Sequence, residues 1–126
     1  MALINTVSFR PWKEGQQMAK IALDGSLDSA TAPQLEKELV QILAGPTQII
    51  VFDLAKLNFL SSGGVRVILG ARKQIIERKG SCLMLGVQPR IAKTFDIIKA
   101  LHGLMLFTDE AALDKFLNVL QTPAAA

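Results

Sequence analysis

Apolar and polar residues along this chain form two patterns in turn, one typical of strands and the other of helices. Residues 3–10 and 18–23 alternate between apolar and polar, and a polar stretch at residues 13–16 separates them, which predicts a β-hairpin. Residues 48–54 form an apolar run with no helical period, which predicts a central strand buried on both faces. Residues 82–85 predict another buried strand, and residues 104–107 predict a short strand.

Four other segments carry apolar residues at helical spacing. The first follows Thr31, which we expect to cap it, and ends at Gly45. The second and third cover residues 65–78 and 91–101, and the fourth follows Thr108, another expected cap. The apolar face of the second helix is predicted to consist of Val65, Ile68, Leu69, Ile75 and Ile76.

The element order is therefore β-β-α-β-α-β-α-β-α. Strands that alternate with helices after an initial hairpin predict an α/β fold, with one mostly parallel, mixed β-sheet of about five strands and about four α-helices. We expect a single domain at residues 1–120 and a flexible C-terminal tail at residues 121–126. Two turn-rich segments, residues 24–32 and 55–64, are predicted loops at the carboxyl ends of strands, where sites form in such sheets.

The composition narrows the classes of function. Half of the 126 residues are hydrophobic, a fifth are charged, and the net charge is +3. Basic residues are spread along the chain in runs of no more than two, so we expect neither direct nucleic-acid contact nor a membrane patch. The first ten residues lack the pattern of a signal peptide, and the default expectation is a cytoplasmic protein.

Few residues are suited to catalysis or metal binding. Cys82 and His102 are the only cysteine and histidine. Cys82 lies in an apolar run and is expected in the core, whereas His102 follows a predicted helix end. The chain contains no P-loop, no dinucleotide-binding fingerprint and no nucleophile elbow. We therefore expect no catalytic residue, no metal and no cofactor.

The most informative segment is the Ser-Ser-Gly-Gly corner at residues 61–64, just before the second helix. One interpretation is structural, because serine caps helices and glycine lets the backbone turn. The other is functional, because a phosphorylated serine at a helix N-terminus would face free N–H groups and the positive end of the helix dipole. The residues by themselves leave both interpretations open.

Residues 51–69, VFDLAKLNFLSSGGVRVIL, resemble the signature of STAS domains, and most of all that of stand-alone bacterial anti-sigma factor antagonists. That signature is a strand ending in Asp-Leu or Asn-Leu, a short loop with an aromatic residue, Asp/Ser-Ser-small-Gly-Leu, and an apolar helix. Residues 23–33, LDGSLDSATAP, resemble a second family stretch, G-E-L-D-x-x-T-A-P. Length and element order also fit, so the resemblance covers nearly the whole chain.

The resemblance implies a binding switch and not an enzyme. In this family, the unphosphorylated antagonist binds an anti-sigma factor that is also a serine kinase with a histidine-kinase-type ATPase domain. That interaction frees a sigma factor. The kinase then phosphorylates one serine of the antagonist, which ends the interaction, and a serine phosphatase resets the switch.

An ungapped match places the phosphorylated position at Ser62, with Ser61 as the alternative, and the family glycine at Gly64. Ser61 stands where many members have aspartate, and Gly63 where many have serine or alanine. Asp28 matches a loop aspartate beside the phosphorylation site, although an aspartate there also suits a local turn. The resemblance implies that Asp28, Ser61, Gly63 and Gly64 contribute to partner binding.

The polar face of the second helix is a further predicted docking surface. Arg66, Gly70 and Lys73 lie opposite its apolar face. A glycine inside a helix costs about 1 kcal/mol relative to alanine. Gly70 therefore predicts the close approach of another backbone, belonging either to the partner or to another helix of the same domain.

Two other functions stay open. A STAS module of a transport or stress-signalling complex, or of a partner switch with a non-sigma target, would keep the fold and the serine. An enzyme is the third possibility, and the missing P-loop and the shortage of a catalytic base argue against it.

Overall fold

The computed structural model describes residues 2–91, 93 and 105–121. Within them, five strands form one sheet in the order β1-β2-β3-β4-β5. The strands are β1 Leu3–Pro11, β2 Gln17–Leu27, β3 Thr47–Leu60, β4 Ser81–Leu85 and β5 Met105–Phe107. The helices with both ends described are α1 Ala32–Ala44, α2 Ser62–Glu77 and α3 Glu110–Gln121. Strands β1 and β2 are antiparallel and all later pairs are parallel, which confirms the predicted hairpin and α/β class.

Helices cover both faces of the sheet, and β3 shows why its sequence is a continuous apolar run. Its residues Ile50 and Phe52 point into the larger core, which contains the buried faces of α1 and α2. Their neighbours Ile49 and Val51 point to the opposite face, where Leu113 of α3 packs. A strand covered on both sides has no polar face, so its apolar residues do not alternate with polar ones.

Strands β2 and β3 are longer than predicted, and each includes the first part of an expected loop, residues 24–27 and 55–60. Strand β2 continues to Leu27 and β3 to Leu60, because the two backbones go on pairing in parallel as far as Leu27 and Leu60 themselves. The pairing includes register shifts near residues 22–26. Turn-forming residues in this stretch therefore make irregular strand, since backbone hydrogen bonds to a neighbour outweigh weak local preference.

The expected helix caps are corrected in two places. Thr31 does precede α1, but its side chain caps no helical N–H. At α3, the carboxylate of Asp109, and not the Thr108 hydroxyl, accepts a hydrogen bond from the Ala112 N–H at 2.8 Å. Asp109 lies directly before the first helical residue, so its side chain reaches the free N–H three positions on.

The start and the buried face of α2 also differ from the prediction. The helix begins at Ser62 and not at residue 65, so most of the serine–glycine corner is helical. Val65, Ile68 and Ile75 are buried as expected, whereas Ile76 is 45% exposed. Ile76 lies roughly a quarter turn from the middle of the buried arc, which Ala71 helps to fill.

Three predictions fall mainly outside the described residues. They are the helix at residues 91–101, the position of His102, and the tail at residues 121–126. Residues 89–91 and 93 are helical. No helix in the described part of the chain combines the length and apolar character needed to cross a membrane.

Candidate functional site

The carboxyl ends of β2 and β3 bring together the two sequence segments that carry the predicted site residues. The Ser61 N–H donates to the Leu27 carbonyl oxygen at 2.9 Å and so ties the end of β3 to the end of β2. From there β2 leads into the turn at residues 28–31, and β3 leads into α2. A Cβ on Gly63 would lie 3.9 Å from the Ser29 Cα, so the turn sits beside the first turn of α2.

The two serines of the corner have different environments. Ser61 is the residue before α2, and its Oγ accepts a hydrogen bond from the Gly64 N–H at 3.1 Å. Ser62 is the first residue of the helix, and its side chain is exposed. The predicted capping role is thus filled by Ser61, while the Ser62 hydroxyl faces outward where the helix dipole is positive.

The two glycines of the corner also differ. Gly64 is buried, and a Cβ there would lie 2.7 Å from the Leu27 Cγ and 2.9 Å from the Leu27 carbonyl oxygen. A Cβ on Gly63 would find its nearest neighbour at 3.7 Å, an ordinary contact. Gly64 is therefore required for α2 to begin this close to β2, whereas packing does not require a glycine at position 63.

Asp28 closes the turn beside the corner. Its Oδ1 accepts hydrogen bonds from the N–H groups of Ala30 at 2.9 Å and Thr31 at 3.0 Å. The bond from the Thr31 backbone, followed by those from Ala30 and the Thr31 hydroxyl, lowers the pKa of the Asp28 carboxyl, and burial only partly opposes the shift. This geometry matches the local-turn interpretation of Asp28, and its role in partner binding stays a prediction.

Thr31 is fixed in the same turn. Its hydroxyl donates to the Ser26 carbonyl oxygen at 2.8 Å and accepts from the Asp28 N–H at 2.9 Å. The hydroxyl that was expected to cap α1 therefore holds the 28–31 turn against β2. The 28–31 turn is thus held by hydrogen bonds among its own residues and to β2.

The exposed face of α2 extends from the corner. Arg66, Gly70 and Lys73 are all exposed, as predicted. A Cβ on Gly70 would meet nothing within 4 Å, so none of the described residues packs closely against it. Beside Gly70 a groove runs between α2 and α1, and Val40 on its α1 side is 64% exposed. Packing inside the described part of the domain does not explain this glycine.

Phe59 is the surface residue near the corner that the residue pattern did not single out. It is 49% exposed and lies three positions before Ser62, in the part of β3 that pairs only with β2. Gln88 supports the same part of β3, because its side-chain amide donates to the carbonyl oxygens of Ala55 and Leu57, each at 2.9 Å. Only the tertiary path of β3 brings these groups together, so no sequence signal marked Gln88.

The described residues form neither a metal site nor a reactive cysteine site. They contain no group of three acidic, cysteine or histidine residues able to hold a metal ion. Cys82 is buried, and the loss of solvation raises the pKa of its thiol to about 12. The burial of Cys82 confirms the prediction, made from its place in an apolar run, that it is a core residue.

Comparison with known proteins adds a family match. The family model described as STAS domain matches residues 13–113. BtrV of Bordetella bronchiseptica, provisionally named an anti-sigma factor antagonist, is 35% identical over 75 residues, which cover 60% of this chain and 65% of that protein. The matched stretch is thus just under two thirds of the Bordetella protein. The anti-sigma-B factor antagonist of Staphylococcus epidermidis is 31% identical over 62% of this chain and 72% of its own length.

Solved structures share the fold. The anti-sigma factor antagonist SpoIIAA in its unphosphorylated form superposes with a TM-score of 0.70 and 24% identity, over 90% of this chain and 97% of that one. An anti-sigma factor antagonist from Mycobacterium paratuberculosis gives a TM-score of 0.77 and 18% identity, over 96% of each chain.

Proposed function

The chain belongs to the STAS domain family, and from that premise we propose that it is an anti-sigma factor antagonist that works by partner switching. In its unphosphorylated form it binds an anti-sigma factor that is also a serine kinase with a histidine-kinase-type ATPase domain, and a sigma factor is released. Phosphorylation of Ser62 ends the interaction, and a serine phosphatase restores the binding form. The relatives named anti-sigma factor antagonists support this proposal.

One observation supports Ser62 as the phosphorylated residue: the hydroxyl of Ser61 caps α2, and the hydroxyl of Ser62 does not. The Ser61 hydroxyl accepts a hydrogen bond from the Gly64 N–H, so using it as a nucleophile would cost the helix its cap. The Ser62 side chain is exposed and does not cap the helix. In the proposed reaction the Ser62 Oγ attacks the γ-phosphorus of ATP, ADP leaves, and the kinase takes the hydroxyl proton.

The position of Ser62 accounts for a switch that acts on binding more than on folding. The phosphate adds about 1.5 to 2 negative charges at neutral pH. At the first residue of α2 these charges lie near free N–H groups and the positive end of the helix dipole, which tolerate them. A partner that closes over the corner has to accommodate the same charges in a tight interface.

The docking surface in this proposal consists of the corner and the exposed face of α2. Arg66 lies one turn from Ser62, and Gly70 and Lys73 follow on the same side of the helix. The open space around Gly70 supports the approach of a partner's backbone there. The two cations would steer a partner surface of negative charge and make association sensitive to salt.

Mass spectrometry after incubation with the cognate kinase and ATP tests the acceptor. We expect one added phosphoryl group, mapped to Ser62, and none in Ser62→Ala. Ser61→Ala is the matched control, and it should still be modified at Ser62. A phosphate on Ser61 that persists in Ser62→Ala would contradict the assignment.

Binding kinetics test the docking surface. Gly70→Ala should weaken kinase binding without loss of folding stability, because alanine favours the helix. Arg66→Glu should slow association, most of all at low salt. Glu36→Lys, on the α1 side of the groove, tests how far the surface extends. Normal binding by both α2 variants would move the docking surface to the 28–31 turn.

In this proposal the chain is the substrate of a kinase and a phosphatase, acts in the cytoplasm beside the transcription machinery, and catalyses no reaction of its own. Affinity capture from the native cell extract separates this role from that of a STAS module in another complex. Recovery of a small ATPase-domain kinase supports the switch. Recovery of transporter subunits alone would replace it with the other role.

A further inference from the structure

The outer edge of the sheet at β1 is long and regular. Strand β1 pairs with β2 through nine consecutive antiparallel residue pairs without a register shift. Among the described residues no strand pairs with its other side. An open edge of this kind presents a row of backbone N–H and C=O groups that can template another strand.

The hydrogen-bond pattern identifies which groups point outward. The Ala2 carbonyl oxygen accepts from the Ser26 N–H at 3.1 Å, so Ala2 and every second residue after it face β2. The outward groups therefore belong to Leu3, Asn5, Val7 and Phe9. In agreement, the Gln34 side chain of α1 donates to the Leu3 carbonyl oxygen at 2.9 Å.

Residues 3–9 of this edge strand carry none of the charges that usually protect an open edge. No charged residue occurs before Arg10 in β1, and Pro11 ends the strand. Ile4 is 64% exposed and Phe9 is 51% exposed. A second copy of the same strand would therefore meet no like charge along residues 3–9, and it would cover apolar surface.

We propose that two copies of this chain associate through their β1 edges, antiparallel and in the register that places Val7 opposite Val7 of the second copy. This register uses the free outward groups of Asn5, Val7 and Phe9. A register centred on Asn5 would need the Leu3 carbonyl that Gln34 already occupies. One centred on Phe9 would need an N–H from Pro11, which has none.

The arrangement is self-complementary on both faces of the joined sheet. Asn5 lies beside Phe9 of the second copy on one face, and Ile4 lies beside Arg10 of the second copy on the other, where the aliphatic part of the arginine covers it. The register uses Asn5, Val7 and Phe9, which pair with residues 19–23 of β2, whereas the printed contacts of the corner are with Leu27 and Ser29. The proposed dimer and the proposed phosphorylation switch can therefore be tested independently of each other.

Sedimentation of the full-length chain over a range of concentrations tests the association. A single strand pair buries less area than a standard-size interface, so we expect a dimer with a dissociation constant in the micromolar range. Phe9→Pro removes the outward N–H, and with it two hydrogen bonds by symmetry. It should weaken the dimer about 25-fold, at roughly fivefold per bond.

Phe9→Ala is the matched control, because it removes the ring and keeps the N–H. It should weaken the dimer clearly less than Phe9→Pro does. A monomer at all concentrations, or equal effects of the two variants, would overturn the proposal. Unfolding curves establish that each variant is folded.

Disulfide trapping tests the register and does not depend on the proline variant. In a hydrogen-bonded antiparallel pair, opposite Cα atoms lie about 5.5 Å apart, within disulfide range. Val7→Cys should therefore give a covalent dimer on mild oxidation. Phe9→Cys should not, because the two positions would be roughly 13 Å apart. The unmodified chain controls for the buried Cys82. Equal trapping at both positions, or at neither, contradicts the register.

Discussion

At its first turn α2 leaves the Ser62 hydroxyl exposed, whereas just beyond its last turn Arg78 binds three carbonyls of the same chain. The Arg78 guanidinium donates to the carbonyl oxygens of Leu43, Gly45 and Thr47, the last two at 3.1 and 3.2 Å. It thus fastens the end of α1 and the start of β3 to the end of α2. The carbonyl of Arg78 in turn accepts from the Gln48 side-chain amide at 2.7 Å.

The corner at the other end is held by fewer side-chain hydrogen bonds, and its close backbone approach is at Gly64. The Ser61 N–H and Oγ bonds hold the entry to α2, and Gly64 lets the helix start against Leu27. One helix therefore has an end that is bonded into the fold, the locked end, and an end with an exposed side chain, the presenting end. Substitutions at the two ends should separate stability from function, and the following predictions run from the largest expected effect to the smallest.

Gly80→Ala should destabilise the locked end by about 3 kcal/mol. A Cβ there would overlap the Gln48 backbone carbonyl, and it would also lie 3.0 Å from the Ile75 Cγ2. Gly70→Ala, in the same helix–strand unit but in open space, should leave the free energy of unfolding unchanged or raise it by up to about 1 kcal/mol. Urea denaturation of both variants measures the contrast. Equal stabilities would contradict the close approach of residue 80 to β3.

Gly64→Ala should cost about 2 kcal/mol at the presenting end, because Leu27 and Leu60 must shift to admit a methyl group. Gly63→Ala should cost nothing or stabilise slightly, since its nearest neighbour would be at an ordinary distance. Thermal melts compare the pair. A Gly63 variant less stable than the Gly64 variant would reverse the assignment of the two glycines.

Ser61→Ala should lower the free energy of unfolding by about 1 kcal/mol through the loss of the cap on α2. Ser62→Ala should change it by less than about 0.5 kcal/mol, as at other exposed positions. Denaturant titration of the two single variants provides the measurement. If Ser62→Ala proved the costlier change, its side chain would have a structural role that the bonds at the corner do not reveal.

Phosphorylation at Ser62 should have the smallest effect on folding, with a melting temperature within a few degrees of the unmodified form. The expected loss of kinase binding should be far larger, since the partner must desolvate the added charge. Calorimetry and binding assays on the same preparation test both statements. A phospho-form that melts many degrees lower would show that the presenting end is not independent of the locked one.

The local pattern was enough to predict the order of strands and helices and the buried faces of α1 and β3. Leu35, Leu39, Ile42 and Leu43 recur at helical spacing and are buried. The run Ile49–Phe52 is apolar without a period and lies between two covered faces. In these segments residue type and spacing act in the same direction as the tertiary contacts, so the sequence is sufficient.

Where the prediction was wrong, a contact from a distant segment decided the outcome. Strand β3 continues to Leu60 because β2 pairs with it, although Ala55–Leu60 has no strand pattern of its own. The Thr31 hydroxyl bonds to Ser26 and not to its own helix, because β2 ends beside it. Ile76 is exposed because the buried arc of α2 is centred on Ile68, Ala71 and Ile75.

At the candidate site, too, some features follow from the local sequence and others from contacts between distant segments. The sequence alone determined that a serine–glycine corner lies between a buried strand and an amphipathic helix, and the resemblance of its motif selected Ser62. Tertiary structure decided that Ser61 is the cap, that Gly64 and not Gly63 needs to be glycine, and that the Asp28 turn lies beside the corner. Spacing along a chain determines which face of an element a residue occupies. The distance between two segments far apart in sequence depends on how the whole sheet pairs, which no local pattern encodes.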